Sequence, residues 1–131
     1  VFQSFQLLPH LSALENVMLP AQLGGIQDAK SRALEWLQRV GLQDRLGHFP
    51  NTLSGGEQQR VAIARAIAGD TKILLADEPT GNLDTSTGED LFQLLLKLNR
   101  DRDITFVIVT HNESLSQRCH RVLRMVDGRL Q

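Results

Sequence analysis

Apolar and polar residues follow different patterns in the two parts of the chain. Residues 11–23 are apolar with a few polar breaks, and over residues 29–40 the apolar positions recur at helical spacing. The pattern therefore predicts two helices in the first part. Gly41 is placed to end the second helix, and Asp28 is placed to cap its N-terminus.

The second part alternates helical patterns with short apolar runs. Helices are predicted over residues 55–68 and 87–100. The continuous apolar runs at 72–76 and 105–109 are typical of strands buried on both faces. Strand, helix and strand in this order form a crossover unit, which builds a parallel sheet. The last predicted elements are a short helix over 114–119 and a closing hairpin over 122–131.

Length and composition narrow the possible functions. The 131 residues suffice for one domain with one modest core. The net charge of −1 gives no overall electrostatic footprint for nucleic acid. A single cysteine, Cys119, cannot form an internal disulfide, which favours a reducing, cytoplasmic setting. No apolar run approaches the roughly 18 residues of a membrane helix, so we expect any link to a membrane to go through another chain.

The strongest candidate for chemistry is the segment LSGGEQQR at residues 53–60. Gly55 and Gly56 allow the backbone to come close to a ligand, and the predicted helix directs its N-terminal amides to the same place. Because Ser54 adds a hydroxyl, the segment suits a phosphate oxygen. Ser54 and Glu57 also match a capping box, which needs no ligand. The residues alone leave both interpretations open, and the two are compatible.

Two acids, Asp77 and Glu78, follow the first apolar run. Ligands of open α/β sheets bind at the carboxyl ends of the strands. An acid there can hold Mg²⁺, usually through water, and a second acid can orient or deprotonate an attacking water. For these residues alone, a solvated exit from the strand into a turn at Pro79 is the simpler alternative.

Three further segments carry little meaning by themselves. TGNLD at residues 80–84 is typical of a turn. His111 follows the second apolar run, where a histidine is more often structural than functional. Gln3 opens the segment QSFQLLP near the start of the chain.

Taken together, these segments resemble the ABC ATPases. The octet at 53–60 matches the signature motif of that family residue for residue, ILLADEP resembles its Walker B motif, and TGNLD resembles its D-loop. Five residues stand in the family's order and at the gaps that the family shows: Gln3, Ser54, Asp77, Asp84 and His111. The sequences around Gln3 and in the D-loop are most similar to those of ABC ATPases of the lipoprotein-releasing and macrolide-export type, including the YbbA-type proteins.

The resemblance implies a role for each residue. The signature would contact the γ-phosphate of ATP held by the opposite subunit, through Ser54, Gly55, Gly56 and Glu57. Asp77 would hold Mg²⁺ and Glu78 would be the catalytic glutamate. Gln3 would reach the magnesium and the attacking water. Asp84 would help to place the opposite active site, and His111 would sense the γ-phosphate. Asn112 stands where the family often has Asp, a departure that we expect to be tolerated.

The resemblance also implies an architecture. It predicts an α/β, partial P-loop NTPase fold, with parallel strands flanked by helices and an α-helical signature subdomain. We expect that subdomain over about residues 4–62 and the C-terminal part of a RecA-like core over about 63–131. The family's P-loop, Gly-x-x-x-x-Gly-Lys-Ser/Thr, is lacking, because none of the three lysines follows a glycine. Since the chain also opens with Val1 inside an apolar pattern, we expect a fragment without ATPase activity of its own. We also expect open sheet edges and an uncovered apolar face, which favour self-association.

Two classes of function compete, a transport ATPase and a soluble ABC ATPase of DNA repair, chromosome maintenance or translation. The transport ATPase would be a homodimer that uses ATP and Mg²⁺ and binds a permease at the inner face of the bacterial cell membrane, for export or extraction. Soluble relatives usually carry coiled coils, zinc modules or basic arms between the glutamine and the signature. The stretch from Gln3 to Ser54 has no heptads and no cysteines, which favours the transporter. A degraded gene product is a third possibility, but intact Asp77, Glu78 and His111 argue for an active parent.

Overall fold

The computed structural model describes all residues, Val1–Gln131, and contains every predicted helix and strand. The helices are α1 (Ala13–Leu23), α2 (Ala29–Arg39), α3 (Gly55–Ala68), α4 (Thr85–Arg102) and α5 (Glu113–Ser116), with a 3₁₀ turn at Pro50–Thr52. The strands are β1 (Ile73–Asp77), β2 (Thr105–Val109), β3 (Met125–Val126) and β4 (Arg129–Leu130). None of the helices combines the length and apolar character needed to cross a bilayer.

Helices α1 and α2 begin in different ways. A capping box starts α1, where Ser12 Oγ accepts from the Glu15 N–H at 3.3 Å and Glu15 Oε2 accepts from the Ser12 N–H at 2.8 Å. The predicted cap of α2 by Asp28 is wrong. Asp28 has a left-handed backbone, with φ of 64°, and its side chain caps no backbone amide. An N-cap side chain reaches the first amides of a helix from an extended backbone. At Asp28 the carboxylate instead accepts from the Ser31 hydroxyl at 3.2 Å.

A continuous hydrophobic core joins the two parts of the chain. It contains Val17 of α1, Leu37 of α2 and Ile63 of α3, and extends to Leu95 of α4 and Leu74 of β1. Helix α3 packs against α1, α2 and α4, so the helix that follows the signature segment lies at the centre of the molecule. The division near residue 62 stays a prediction.

Strands β1 and β2 form the predicted parallel pair, in register from Ile73 opposite Thr105 to Asp77 opposite Val109. Val1 lies along the other edge of β1. Its amino group donates to the Leu75 carbonyl at 2.7 Å, and the Asp77 N–H donates to the Val1 carbonyl at 3.0 Å. The start of the chain therefore lies beside the strand that carries the candidate acids.

The strand pair is buried on one face only. The two buried faces that the apolar runs alone predict are not found, whereas the uncovered apolar face expected of a fragment is present. Leu74 and Ala76 are buried, but Leu75 is 65% exposed and Val107, opposite it, is 49% exposed. The helices cover one face of the pair and leave the other face open. A run of apolar residues indicates that a strand can be buried on both faces. Whether the strand is buried depends on which other segments pack against each face.

We expect the 131-residue chain to self-associate through this open face, because exposed apolar faces and unpaired edges invite pairing. Sedimentation velocity over a concentration series should show oligomers, and the double substitution Leu75→Lys with Val107→Lys should shift the population toward the monomer. Leu23→Lys is the control, since Leu23 is an exposed apolar residue on α1. A wild-type chain that stays monomeric at the highest concentration would refute this expectation.

Candidate functional site

The site begins where β1 ends, at a strained residue. Glu78 has φ of 44°, in the left-handed region that a residue with a side chain adopts only at a cost. Its N–H still pairs with β2 by donating to the Val109 carbonyl at 2.9 Å, and its carbonyl accepts from the Gly81 N–H at 3.0 Å. The strand therefore stops at Glu78, and the chain turns sharply with the carboxylate facing the end of β2.

Glu78 and His111 form a pair across the ends of the two strands. Glu78 Oε1 accepts from the His111 backbone N–H at 2.9 Å and lies 2.7 Å from His111 Nδ1. Thr110 Oγ1 donates to Oε2 at 3.3 Å. Since an ionised carboxylate only accepts hydrogen bonds, Nδ1 carries the proton in this pair, and Nε2 is left without a partner within the chain. The imidazole is 83% exposed, so Glu78 is held in place while the outer face of the ring is open to a ligand.

Asp77, unlike Glu78, has a carboxylate that is not held by other side chains. It is exposed at the end of β1, and its carboxylate makes no hydrogen bond or ion pair within the chain. No group of three or more possible protein ligands for a metal gathers anywhere in the structure. Magnesium needs about six oxygen ligands, so a cation at Asp77 would take most of them from water and from a bound phosphate. The single free carboxylate fits that mode of binding.

Gln3 is held by the turn that follows the acids. Its Nε2 donates to Asn82 Oδ1 at 3.1 Å, and Asn82 Nδ2 donates back to the Gln3 carbonyl at 3.0 Å. A Cβ at Gly81 would lie only 2.7 Å from Gln3 Nε2, so the glycine makes room for the amide. The structure thus brings Gln3 to Asn82, and the predicted contact with magnesium requires this pair to open.

The capping interpretation of the signature segment is confirmed. Ser54 Oγ accepts from the Glu57 N–H at 3.2 Å, and Glu57 Oε2 accepts from the Ser54 N–H at 2.8 Å. Arg45 Nε donates to Glu57 Oε1 at 3.0 Å. These donors, the Ser54 N–H first, lower the pKa of Glu57 below its ordinary value of 4.5. Ser54 is exposed, so its hydroxyl can be reached by a ligand as well as by the Glu57 carboxylate.

The N-termini of α3 and α4 lie side by side. A Cβ at Gly56 would lie 2.4 Å from Thr87 Cγ2, and a Cβ at Gly55 would lie 3.4 Å from Leu83 Cδ2. Asp84 caps α4, since its Oδ1 accepts from the Thr87 N–H at 3.0 Å and its Oδ2 accepts from the Thr87 hydroxyl at 2.6 Å. Both contacts, the hydroxyl first, lower the pKa of Asp84. The signature and the D-loop thus form one surface.

The hydrogen bonds to Glu57 make the free energy of unfolding depend on pH. The carboxylate of Glu57 is favoured in the folded state, so on acidification the unfolded chain takes up its proton first. Its contribution to the free energy of unfolding is present above pH 4.5 and is lost as the pH falls through the lowered pKa. Urea unfolding between pH 3 and 7 should show a shallower acid loss for Glu57→Gln. Glu113→Gln, which removes an exposed carboxylate, is the control and should lose stability with falling pH as the wild type does. If both variants show the same dependence of the free energy of unfolding on pH, the assignment is contradicted.

Two residues of α3 were missed by the sequence analysis. Gln59 is fully buried and donates to the Pro79 carbonyl at 2.8 Å. Arg65 donates to the carbonyls of Gln6 at 2.7 Å and Phe5 at 3.3 Å, and burial lowers its pKa. Both carbonyl partners of Arg65 have a left-handed backbone, with φ of 52° and 59°, so the guanidinium stabilises a strained loop. For Gln59 the sequence did contain a signal, because it is a polar residue on the buried apolar face of α3.

Comparison with known proteins identifies the family. The family model described as ABC transporter matches residues 1–81. The chain belongs to the ABC transporter family. It is 56% identical to the uncharacterized ABC transporter ATP-binding protein YbbA of Escherichia coli, over 100% of the chain and 58% of the relative. It is 54% identical to the lipoprotein-releasing system ATP-binding protein LolD of Syntrophotalea carbinolica, over 99% of the chain and 58% of the relative.

The fold prediction is confirmed in the same way. A solved dimer of the ATP-binding cassette MJ0796, in a post-hydrolysis state bound to ADP and Pi, matches 99% of the chain with a TM-score of 0.83 and 44% identity. The match covers 60% of that cassette. The chain therefore has the fold of part of an ABC ATPase cassette, and it spans somewhat more than half the length of the relatives that it matches.

Proposed function

We propose that the chain is the part of a transporter's ATP-hydrolysing subunit that activates water and completes a partner's ATP site. The observation that carries this proposal is the Glu78–His111 pair next to the unpartnered carboxylate of Asp77. In this arrangement Glu78 accepts the proton of an attacking water, and His111 directs Nε2 toward the γ-phosphate. Gln3, once released from Asn82, would contact the same water and the cation.

Magnesium fits the residues that surround it. Asp77 would hold the ion through water, and Mg²⁺ would neutralise charge on the β- and γ-phosphates during transfer. The chain contributes one carboxylate, so the nucleotide and water must supply the remaining oxygens. We therefore expect ATP and Mg²⁺ to bind as a complex, because this chain alone supplies too few ligands for either of them.

The signature surface serves a second subunit. Ser54 offers an exposed hydroxyl and Gly55 leaves backbone partly open at the N-terminus of α3, whereas Gly56 is buried against Thr87 of α4. The positive end of a helix stabilises phosphate oxygens. Glu57 holds Ser54 in place through the capping box, and Asp84 fixes the neighbouring end of α4. The dimeric MJ0796 cassette, bound to ADP and Pi, supports a homodimer. In such a homodimer this surface would face the partner's ATP.

We assign the longer protein to a transporter that works by export or extraction, by similarity to the lipoprotein-releasing relative. Its permease would hold it at the cytoplasmic face of the bacterial membrane. The helical unit from about Leu7 to Pro50 would pass the motion of the ATPase dimer to that permease. The soluble ABC ATPases remain the alternative, since they share the signature and Walker B segments.

ATP turnover tests this assignment. The complete product of the gene that encodes this sequence should hydrolyse ATP in the presence of Mg²⁺, whereas the 131-residue chain alone should show no turnover above background. The same preparation, solubilised with its membranes, should retain an integral membrane partner during affinity purification. A gene product without Mg²⁺-dependent turnover would overturn the enzymatic proposal, and retention of nucleic acid in place of a membrane protein would favour the soluble alternative.

A further inference from the structure

Gln59 is a polar side chain on the apolar face of α3. It follows Gly56 by three positions and precedes Ile63 by four, so all three lie on the helix face that is buried. Its side chain is completely buried. Nε2 donates to the Pro79 carbonyl at 2.8 Å and to the Phe2 carbonyl at 3.4 Å, while Oε1 has no hydrogen-bond partner.

The two carbonyl groups belong to the segments that carry the proposed chemistry. Pro79 directly follows Glu78, and Phe2 directly precedes Gln3. The Pro79 carbonyl has no donor other than Gln59, whereas the Phe2 carbonyl also accepts from the Phe5 N–H at 3.3 Å. One amide group therefore connects the helix of the signature to both the acidic turn and the glutamine segment.

The unpaired Oε1 shows that packing alone does not explain this residue. A buried acceptor without a partner destabilises a fold, and methionine has nearly the same length and shape without that acceptor. Methionine cannot, however, donate to the two carbonyls. The hydrogen bonds made by Nε2 are thus the feature that only the amide provides.

We propose that Gln59 is a positioning residue that fixes the Pro79 carbonyl and so sets the direction of the neighbouring Glu78 carboxylate, in register with Gln3. The strained backbone at Glu78 makes such support necessary, because a left-handed residue persists only where its surroundings hold it. The inference rests on the proposed function for its catalytic consequence, but the structural link can be measured without it.

The test uses Gln59→Met in the complete gene product. We expect kcat for ATP hydrolysis to fall about 10- to 100-fold, as a small misplacement of reacting groups does, with the KM for ATP within about threefold of wild type. The melting temperature should shift by less than about 5 °C, because loss of the orphaned acceptor offsets the lost bonds. Hydrogen exchange at residues 78–84, normalised to the rest of the chain, should accelerate about tenfold or more.

Ile67→Val is the matched control. Ile67 is also fully buried on α3, but it makes no side-chain hydrogen bond, so this variant should lower stability slightly and leave kcat and the exchange of residues 78–84 unchanged. Equal kcat losses in the two variants would overturn the proposal, as would a Gln59→Met enzyme with wild-type kcat or wild-type exchange in the turn.

Two further outcomes keep the structural and the functional claims apart. If wild type lacks ATPase activity but Gln59→Met accelerates exchange at residues 78–84, the proposed function fails and the structural link stands. If Gln59→Met does not fold, NMR of the wild-type protein provides the test. Slowly exchanging side-chain amide protons of Gln59, with NOEs to Pro79 and Phe2, support the link, and rapid exchange of these protons overturns it.

Discussion

Glu78→Gln should reduce ATP turnover by the complete gene product about 10²- to 10⁴-fold, the usual contribution of a general base. The substitution keeps the size of the side chain. In the wild-type structure the His111 N–H lies 2.9 Å from Glu78 Oε1, and the amide oxygen of glutamine can accept the same hydrogen bond. An amide cannot accept the proton of water at neutral pH. Steady-state hydrolysis and equilibrium nucleotide binding on the same preparation separate the two effects, and binding should remain.

The control for this variant is Glu89→Gln. Glu89 is a carboxylate of α4 paired with Arg118 at 2.8 Å, and it makes no hydrogen bond to Asp77, Glu78 or His111, so its loss should leave turnover near the wild-type value. Exposed ion pairs of this kind contribute little to stability. Turnover above about one tenth of wild type in Glu78→Gln, a far smaller loss than a general base usually supplies, would mean that another group accepts the proton or that a contaminating ATPase is present.

The sequence predicted the fold well because its strongest signals are local. The capping box of Ser54 and Glu57 spans four residues, and the apolar runs of β1 and β2 can be recognised without their partners. The N-cap at Asp28 failed because that residue has a left-handed backbone, from which its side chain caps no backbone amide. Burial of the sheet failed for a similar reason: whether Leu75 is covered depends on other segments and not on the strand itself.

The site was less predictable where its contacts are long-range. Motif order placed Glu78 and His111 at neighbouring strand ends, and the structure brings them within 2.7 Å. No local pattern indicates that Gln3 pairs with Asn82, or that Gln59 reaches Pro79, 20 positions away. Such contacts join segments that lie far apart in the sequence, so they are known only once the fold is assembled.

Gly56→Ala should strongly impair both stability and turnover, and Thr87→Ser should restore both. A Cβ at Gly56 would lie 2.4 Å from Thr87 Cγ2, whereas the next atom, Thr87 Cβ, would lie at an ordinary 3.9 Å. Overpacking of this kind costs about 1–3 kcal/mol, and displacement of the end of α3 should cost turnover about 100-fold. Serine removes the clashing methyl group and keeps the hydroxyl that bonds to Asp84.

This pair of substitutions decides why Gly56 is a glycine. Its missing Cβ points at α4, and its backbone amide is retained in alanine, so the double variant should regain turnover to within a few-fold and show a stabilising coupling in a double-mutant cycle. Gly47→Ala is the control, because a Cβ there meets nothing within 4 Å. If the double variant regains its melting temperature but not its turnover, the bare backbone at Gly56 is needed by the partner's phosphate and not by the packing of α3 on α4.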